Sequence, residues 1–205
     1  MNRFIKYFWN FIIGSFIGYI LETIWCFIRF KKIESRKGLI YFPLIPIYGI
    51  ATLLLTIIIE LLNINNSFMY FILTFIVCSI VEYISSIIQE KCFNTKSWDY
   101  TNMIGNINGR INILYLSGWS LIGVVWCNIY KVIFNVIVKI PLLKQITIIL
   151  FILVLYDCFI SIVASYRQRK RRENIKANNK FEEWLDKIYN DKRLEKIFAN
   201  AKYIR

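Results

Sequence analysis

Five long apolar runs occupy most of this chain: Phe4 to Phe30, Leu44 to Leu62, Phe68 to Ile88, Ile111 to Val138 and Ile146 to Tyr166. Each is close to or beyond the roughly 20 residues with which an α-helix crosses the hydrocarbon of a bilayer. Composition agrees. The 205 residues are 57% hydrophobic and 17% aromatic, against roughly 45–50% apolar in soluble domains. The mean hydropathy is +0.49. The expected fold is all-α, a polytopic membrane helix bundle with five transmembrane helices over residues 1–166, followed by a basic amphipathic tail over residues 167–205. The first run follows Arg3 and Lys6 as a secretory signal would, but its length, Glu22 and Trp25, and the lack of a small-residue cleavage pattern place it in the mature protein.

Loop charges orient such a bundle. The first connection holds Arg29, Lys31, Lys32, Arg36 and Lys37, the second no Lys or Arg, the third Lys91, Lys96 and Arg110, and the fourth only Lys139 and Lys144. Residues 166–205 carry 13 Lys/Arg against 6 Asp/Glu, a large share of the net charge of +13. Basic residues beside spans stay in the cytoplasm or meet anionic lipid, so the N-terminus is expected outside and the C-terminus inside, with lipid and not nucleic acid as the partner of the charge. Only Arg3 and Lys6 run against that pattern.

Three carboxylates lie well inside spans: Glu22, Glu82 and Asp157. Each costs about 2.5–3.5 kcal/mol at mid-membrane, and the surrounding Ile, Leu, Phe and Val, at about −0.3 to −0.6 kcal/mol each, outweigh it. Residues four apart share a helix face. That spacing aligns Gly14, Gly18 and Glu22, then Tyr48, Thr52, Thr56 and Glu60, then Cys78, Glu82 and Ser86, and finally Asp157, Ser161 and Ser165. Every one of these spans thus has a polar side. Intramembrane charges face the bundle interior and pair, so Glu22, Glu82 and Asp157 are expected to meet around Arg110, delivered from the cytoplasmic side. A pair formed only to fix helix register would look equally sensitive to mutation. Gly14 and Gly18 read as a close helix-packing surface.

Two connections carry more than links need. In "KGLIYFPLIPIYG", Lys37 to Gly49, Pro43 and Pro46 deny a regular helix, and Tyr48 and Gly49 follow a start that is expected to be broken. Broken helix starts bring backbone polar groups beside a cavity, a recurrent way to build transporter sites, although a proline in a first helical turn is also ordinary. In "SWDYTNMIGNINGR", Ser97 to Arg110, the residues Trp98, Asp99, Tyr100, Asn106 and Gly109 form a polar connection, cytoplasmic or re-entrant, that assembles the polar interior from below. The tail opens with "RQRKRR" and then spaces Phe181, Trp184, Leu185, Ile188, Leu194, Ile197 and Phe198 at intervals of a helical face. That face can lie on lipid, fold under the bundle or dock a partner, lipid being the expectation.

Cys26, Cys78, Cys92, Cys127 and Cys158 are scattered singly and the chain has no His, so neither a disulfide framework nor a metal site is expected. No phosphate-binding G-x-x-x-x-G-K-[ST] loop is present.

Glu22 after a Gly-rich first span, "KGLIYFPLIPIYG", "VEY" at Val81 to Tyr83, "SWDY" at Ser97 to Tyr100 and "NINGRI" at Asn106 to Ile111, in this order, resemble the bacterial family described as Putative ABC-transporter type IV, the CmpB-like permeases. The likeness covers Phe11 to Val125 and leaves the tail without a counterpart; Phe42 stands where the family often has glycine before the proline. It implies a permease-like subunit of the bacterial inner membrane that needs a separate ATP-binding subunit and no cofactor of its own. Self-association is open. Two further functions fit the residues: a membrane scaffold or regulator whose charges are all paired in a dry bundle, and an intramembrane acid–base enzyme using Glu22, Glu82 or Asp99, which the lack of His, metal spacing and an evident nucleophile disfavours. No catalytic residue is assigned.

Overall fold

In the computed structural model, which describes residues 2–204, four helices are long and apolar enough to cross a membrane. These are α1 (Asn2–Phe30), α3 (Ser67–Phe93), α4 (Ile113–Lys139) and α5 (Pro141–Arg172), with a shorter α2 (Pro46–Leu62) between the first two. Two short helices, α6 (Lys180–Ile188) and α7 (Asp191–Ile197), form the tail. Two-residue strands pair as β1 (Thr95–Lys96) with β4 (Lys202–Tyr203), and β2 (Asn106–Ile107) with β3 (Ile111–Asn112), both antiparallel. The all-α expectation holds apart from these two ladders.

The expected five spans become four long helices and a short one. At 1.5 Å per residue, the 17 residues of α2 rise about 25 Å, less than the roughly 30 Å of hydrocarbon. The start moved from Leu44 to Pro46, because Leu44 and Ile45 belong to an irregular segment folded into the bundle: the Ile45 N–H donates to the Ser15 carbonyl, halfway along α1. Pro46 then opens α2 at a position where its missing N–H costs nothing. Asparagine sets the ends of most other elements. Asn63 and Asn94 close α2 and α3 in the left-handed conformation, and the Asn66, Asn112, Asn179 and Asn190 side chains accept the free N–H groups that open α3, α4, α6 and α7.

Successive long elements alternate in direction. At one end Lys6 and Tyr7 of α1 hold Glu60 of α2, Trp9 donates to Thr147 of α5, and Ile59, Tyr70, Trp126, Tyr130 and Phe134 form a core. At the other end lie the C-terminus of α1, the start of α2, the end of α3, the hairpin β2–β3 and the tail. The α1–α2 seam is tight: a Cβ at Gly14 would overlap Thr52, at Gly18 the Tyr48 ring, and at Gly49 Ser15 and Phe11. Small residues are needed there because close backbone approach is what binds apolar helices in lipid. Cys26 is more than an apolar filler, since the buried sulfur lies 3.0 Å from the Arg36 guanidinium.

The tail folds under the bundle. α5 runs without a break across residues 166 and 167, so the division expected there falls inside one helix. Leu185, Tyr189 and Leu194 pack on Ile40, Ile160 and Ala164. The basic run meets the tail's own acids: Arg167 holds Asp186 at 2.9 Å, Arg171 holds Asp186 and Asp191 at 2.5 and 2.6 Å, and Arg172 holds Glu195 at 2.9 Å. Burial raises the Asp186 carboxyl, but the hydrogen bonds and charges of Arg167 and Arg171 win and hold it below its ordinary value. Ser35 donates to the Ile197 carbonyl at 2.6 Å, Tyr41 and Tyr189 share a 2.6 Å hydroxyl bond, and Ile204 donates to Asn94.

Candidate functional site

The four charges expected to meet are divided among three places. Asp157, 1% exposed at the middle of α5, sits under the irregular first connection. Its Oδ1 accepts the N–H groups of Ile40 and Tyr41 at 3.1 Å, its Oδ2 those of Tyr41 at 3.1 Å and Phe42 at 2.8 Å, and the Ser161 hydroxyl donates to Oδ1 at 3.2 Å. Successive N–H groups converging on one anion form a nest. Chain geometry explains the need, since a segment that is neither helix nor strand must have its buried donors satisfied elsewhere. Pro43 and Pro46 carry no N–H, which removes two donors from this depth. The first connection is therefore re-entrant with respect to the helix bundle, folding back into it as far as Asp157 and Ser15, whereas Ser97 to Arg110 stays at the bundle's end.

Arg110 pairs with Glu90 and donates to Ser86 at 2.9 Å. Among the described residues no ion pair joins it to Glu22, Glu82 or Asp157, which corrects the expected cluster. Glu82, Ser86 and Glu90 are spaced by four along α3, and the hairpin brings Arg110 opposite the last two. The pairing partner is thus the outermost acid, whose carboxylate loses least hydration. The hairpin itself is tightly specified. Asn108 and Gly109, with φ of 53° and 67°, make the Asn-Gly turn that antiparallel strands favour. The Tyr100 N–H meets the Gly109 carbonyl at 2.8 Å, Asn106 Oδ1 accepts the Gly109 N–H at 2.8 Å, and the Trp98 indole donates to the Arg110 carbonyl at 2.8 Å. Trp98 is a staple of the loop. Asp99 is exposed and accepts both the hydroxyl and the N–H of Thr101, bonds that hold its carboxyl below the ordinary value.

Glu22 and Glu82 remain, and they form the site. The Tyr48 hydroxyl donates to Glu22 at 2.6 Å, and the Tyr100 hydroxyl donates to Glu82 at 3.1 Å. Tyr48 reaches Glu22 because Gly18, one turn earlier on α1, leaves room for the ring. Tyr100 rings with Tyr115 at 5.1 Å, Tyr115 with Trp25 at 6.0 Å, and Tyr48 with Trp119 at 5.1 Å. Arg29 donates to the Tyr115 hydroxyl at 2.7 Å. Burial pushes the Tyr100 hydroxyl well above its ordinary value; the charge of Glu82, the bond to it, and the charges of Glu22 and Tyr115 push the same way, so Tyr100 stays a donor. Both carboxylates act on this one ring, and among the described residues neither is ion-paired. At 1.5 Å per residue Glu22 lies about 12 Å from the end of α1.

A half-buried pair of carboxylates on separate helices, held by phenols and faced by aromatic rings, can take a cation or a proton: charge uncompensated in low dielectric attracts either. Sequence reasoning missed Tyr115, Trp119 and Arg29. Their signal was present, since Tyr115 and Trp119 are four apart on α4 and share a face, but nothing in α4 alone says that this face meets Tyr100 and Tyr48, the phenols that hold Glu82 and Glu22.

The sequence model of the family described as Putative ABC-transporter type IV matches residues 9–162. The match contains Glu22, Tyr48, Glu82, Tyr100, Arg110 and Asp157 and stops short of α6 and α7. No curated protein and no solved structure matches the chain.

Proposed function

Because the chain belongs to the Putative ABC-transporter type IV family and is a multi-pass membrane protein, we propose that it is a permease-like subunit whose polar path runs through the Glu22 and Glu82 site and whose energy comes from a separate ATP-binding subunit. The observation that carries this reading is that Glu22 and Glu82 lack a cationic partner among the described residues. A scaffold has no reason to keep two such carboxylates in a bundle that otherwise pairs Lys6 with Glu60 and Arg110 with Glu90. In this reading α2 and the re-entrant segment together make the fifth crossing. The basic end, with Arg29 to Lys37, the hairpin and the tail, faces the cytoplasm of a bacterial cell, where the ATP-binding subunit docks; the chain itself performs no catalysis.

Affinity purification from native membranes in mild detergent tests the partnership. An ATP-binding subunit is expected at near-stoichiometric yield, and clean isolation of the chain alone counts against the proposal. Glu22→Gln and Glu82→Gln test the path: each is expected to abolish the cellular function while leaving the amount of folded protein unchanged. Full function in the double variant would remove the site from the mechanism.

A further inference from the structure

The apolar face foreseen for the tail is split in two. Leu185, 0% exposed, and Tyr189 and Leu194 point into the bundle, whereas Phe181 and Trp184 remain 45% and 40% exposed and stack at 5.8 Å with an interplanar angle of 19°. The charges divide the same way. Glu182 and Asp186 face α5, where they meet Lys170, Arg167 and Arg171. At 3.6 residues per turn, Trp184, Lys180 and Lys187 lie within a sector of about 60° on the other side of α6, with Phe181 flanking it and Glu183 beyond Lys187. Lys180 and Lys187 are exposed and, among the described residues, take no part in the ion pairs that consume the basic run.

The height of this face along the bundle is set by α5. α6 is held where the apolar part of that helix gives way to Arg167–Arg172, and Trp184 meets Tyr189 edge-on at 5.7 Å, whose hydroxyl reaches Tyr41 of the re-entrant connection. An exposed Trp–Phe pair flanked by lysines at the end of a span matches the headgroup layer, where rings sit among the glycerol esters and ammonium groups rise to the phosphates.

We propose that the outer face of α6, Phe181, Trp184, Lys180 and Lys187, is a docking surface for anionic lipid headgroups. The charge makes the choice of occupant: the arginines of α5 are engaged by Glu173, Glu182, Asp186, Asp191 and Glu195, whereas the lysines that flank the exposed rings, Lys180 and Lys187, are without an ion pair among the described residues and are placed to attract phosphate. The surface also ties the membrane to the re-entrant segment, since Leu185 of α6 and Tyr189 just after it pack on the other side against Ile40.

The test uses the full chain in nanodiscs of phosphatidylcholine and phosphatidylglycerol. The Trp184 signal is the fluorescence difference between wild type and Trp184→Phe, which keeps an aromatic ring in the stack. Lipids brominated near the headgroup are expected to quench it, with phosphatidylglycerol preferred. Lys180→Gln and Lys187→Gln are each expected to lower that preference roughly 5-fold, the factor given by about 1 kcal/mol per basic residue near an anionic surface. Quenching by aqueous acrylamide but not by brominated lipid would show a solvated face and overturn the proposal. Protection from both quenchers would mean that protein, such as a second copy, covers it. Equal quenching by the two lipids would overturn the anionic preference.

Discussion

Asp157→Asn isolates the nest. The substitution preserves shape and removes one acceptor and the charge. The retained carbonyl oxygen can keep the N–H groups of Ile40 and Tyr41, but the amide nitrogen that replaces Oδ2 faces the Phe42 N–H, which donates at 2.8 Å in the native protein. A hydrogen bond to a charged group contributes about 1.5–3 kcal/mol, and a buried donor left without a partner costs about 1–3 kcal/mol. These overlap, so the expected loss is about 3 kcal/mol, a shift of about a hundredfold in the opening equilibrium of the connection. Hydrogen–deuterium exchange with mass spectrometry reads this directly at Leu39 to Phe42, whose protection should fall about a hundredfold while α3 and α4 keep theirs. Ser161→Ala removes a neutral donor to Oδ1 and an acceptor 2.9 Å from the Ile40 N–H, and should cost nearer 1 kcal/mol. Exchange at Leu39 to Phe42 that changes less than threefold in Asp157→Asn would refute the claim that this carboxylate holds the re-entrant segment.

Gly18→Ala should destabilise the protein by about 1–3 kcal/mol in detergent, because the new methyl overlaps the Tyr48 ring. Gly118→Ala, whose Cβ would meet nothing within 4 Å, should instead stabilise by up to about 1 kcal/mol through helix propensity; equal melting temperatures for the two would sink the packing account. A double-mutant cycle between Arg110→Gln and Glu90→Gln should give a coupling of about 1–2 kcal/mol, between surface and buried values, while the cycle with Glu82→Gln should give none; the reverse ranking would return Arg110 to the carboxylate site. Acid should release the tail late. The Asp186 and Glu182 carboxyls are held below their ordinary values, so their contribution is complete above those values and fades only as pH falls below about 4. Limited proteolysis within residues 173–179 should remain slow at pH 5; cleavage that accelerates between pH 7 and pH 5 would contradict the assignment.

Much of the architecture was legible because lipid makes each segment answer for itself. A run such as Phe68 to Ile88 must be helical wherever it sits, since no other conformation satisfies its own backbone in hydrocarbon. The spacing of four that placed Glu22 and Tyr48 on polar faces is likewise a property of one helix. The partners were less legible. Arg110 was within reach of any acid on α3, and only the hairpin geometry selected Glu90, the next step of the series Glu82 and Ser86. Asp157 reads in sequence as a charge seeking a cation, yet it serves as an acceptor for backbone donors, and sequence does not reveal which N–H groups lack partners. The second run shows the limit on boundaries: Leu44 and Ile45 are apolar enough to extend a helix, and the two prolines with the Ser15 contact decide otherwise.

Composition and period alone determined that this chain lives in a bilayer as helices, which end is basic, and which residues form polar stripes, because those follow from the transfer energy and pitch of single segments. Tertiary structure decided which stripe faces which. It left Glu22 and Glu82 to tyrosines, gave Asp157 to a nest and bound the arginines of α5 to the tail, because electrostatic pairing depends on distance in space, and distance between segments is set by packing.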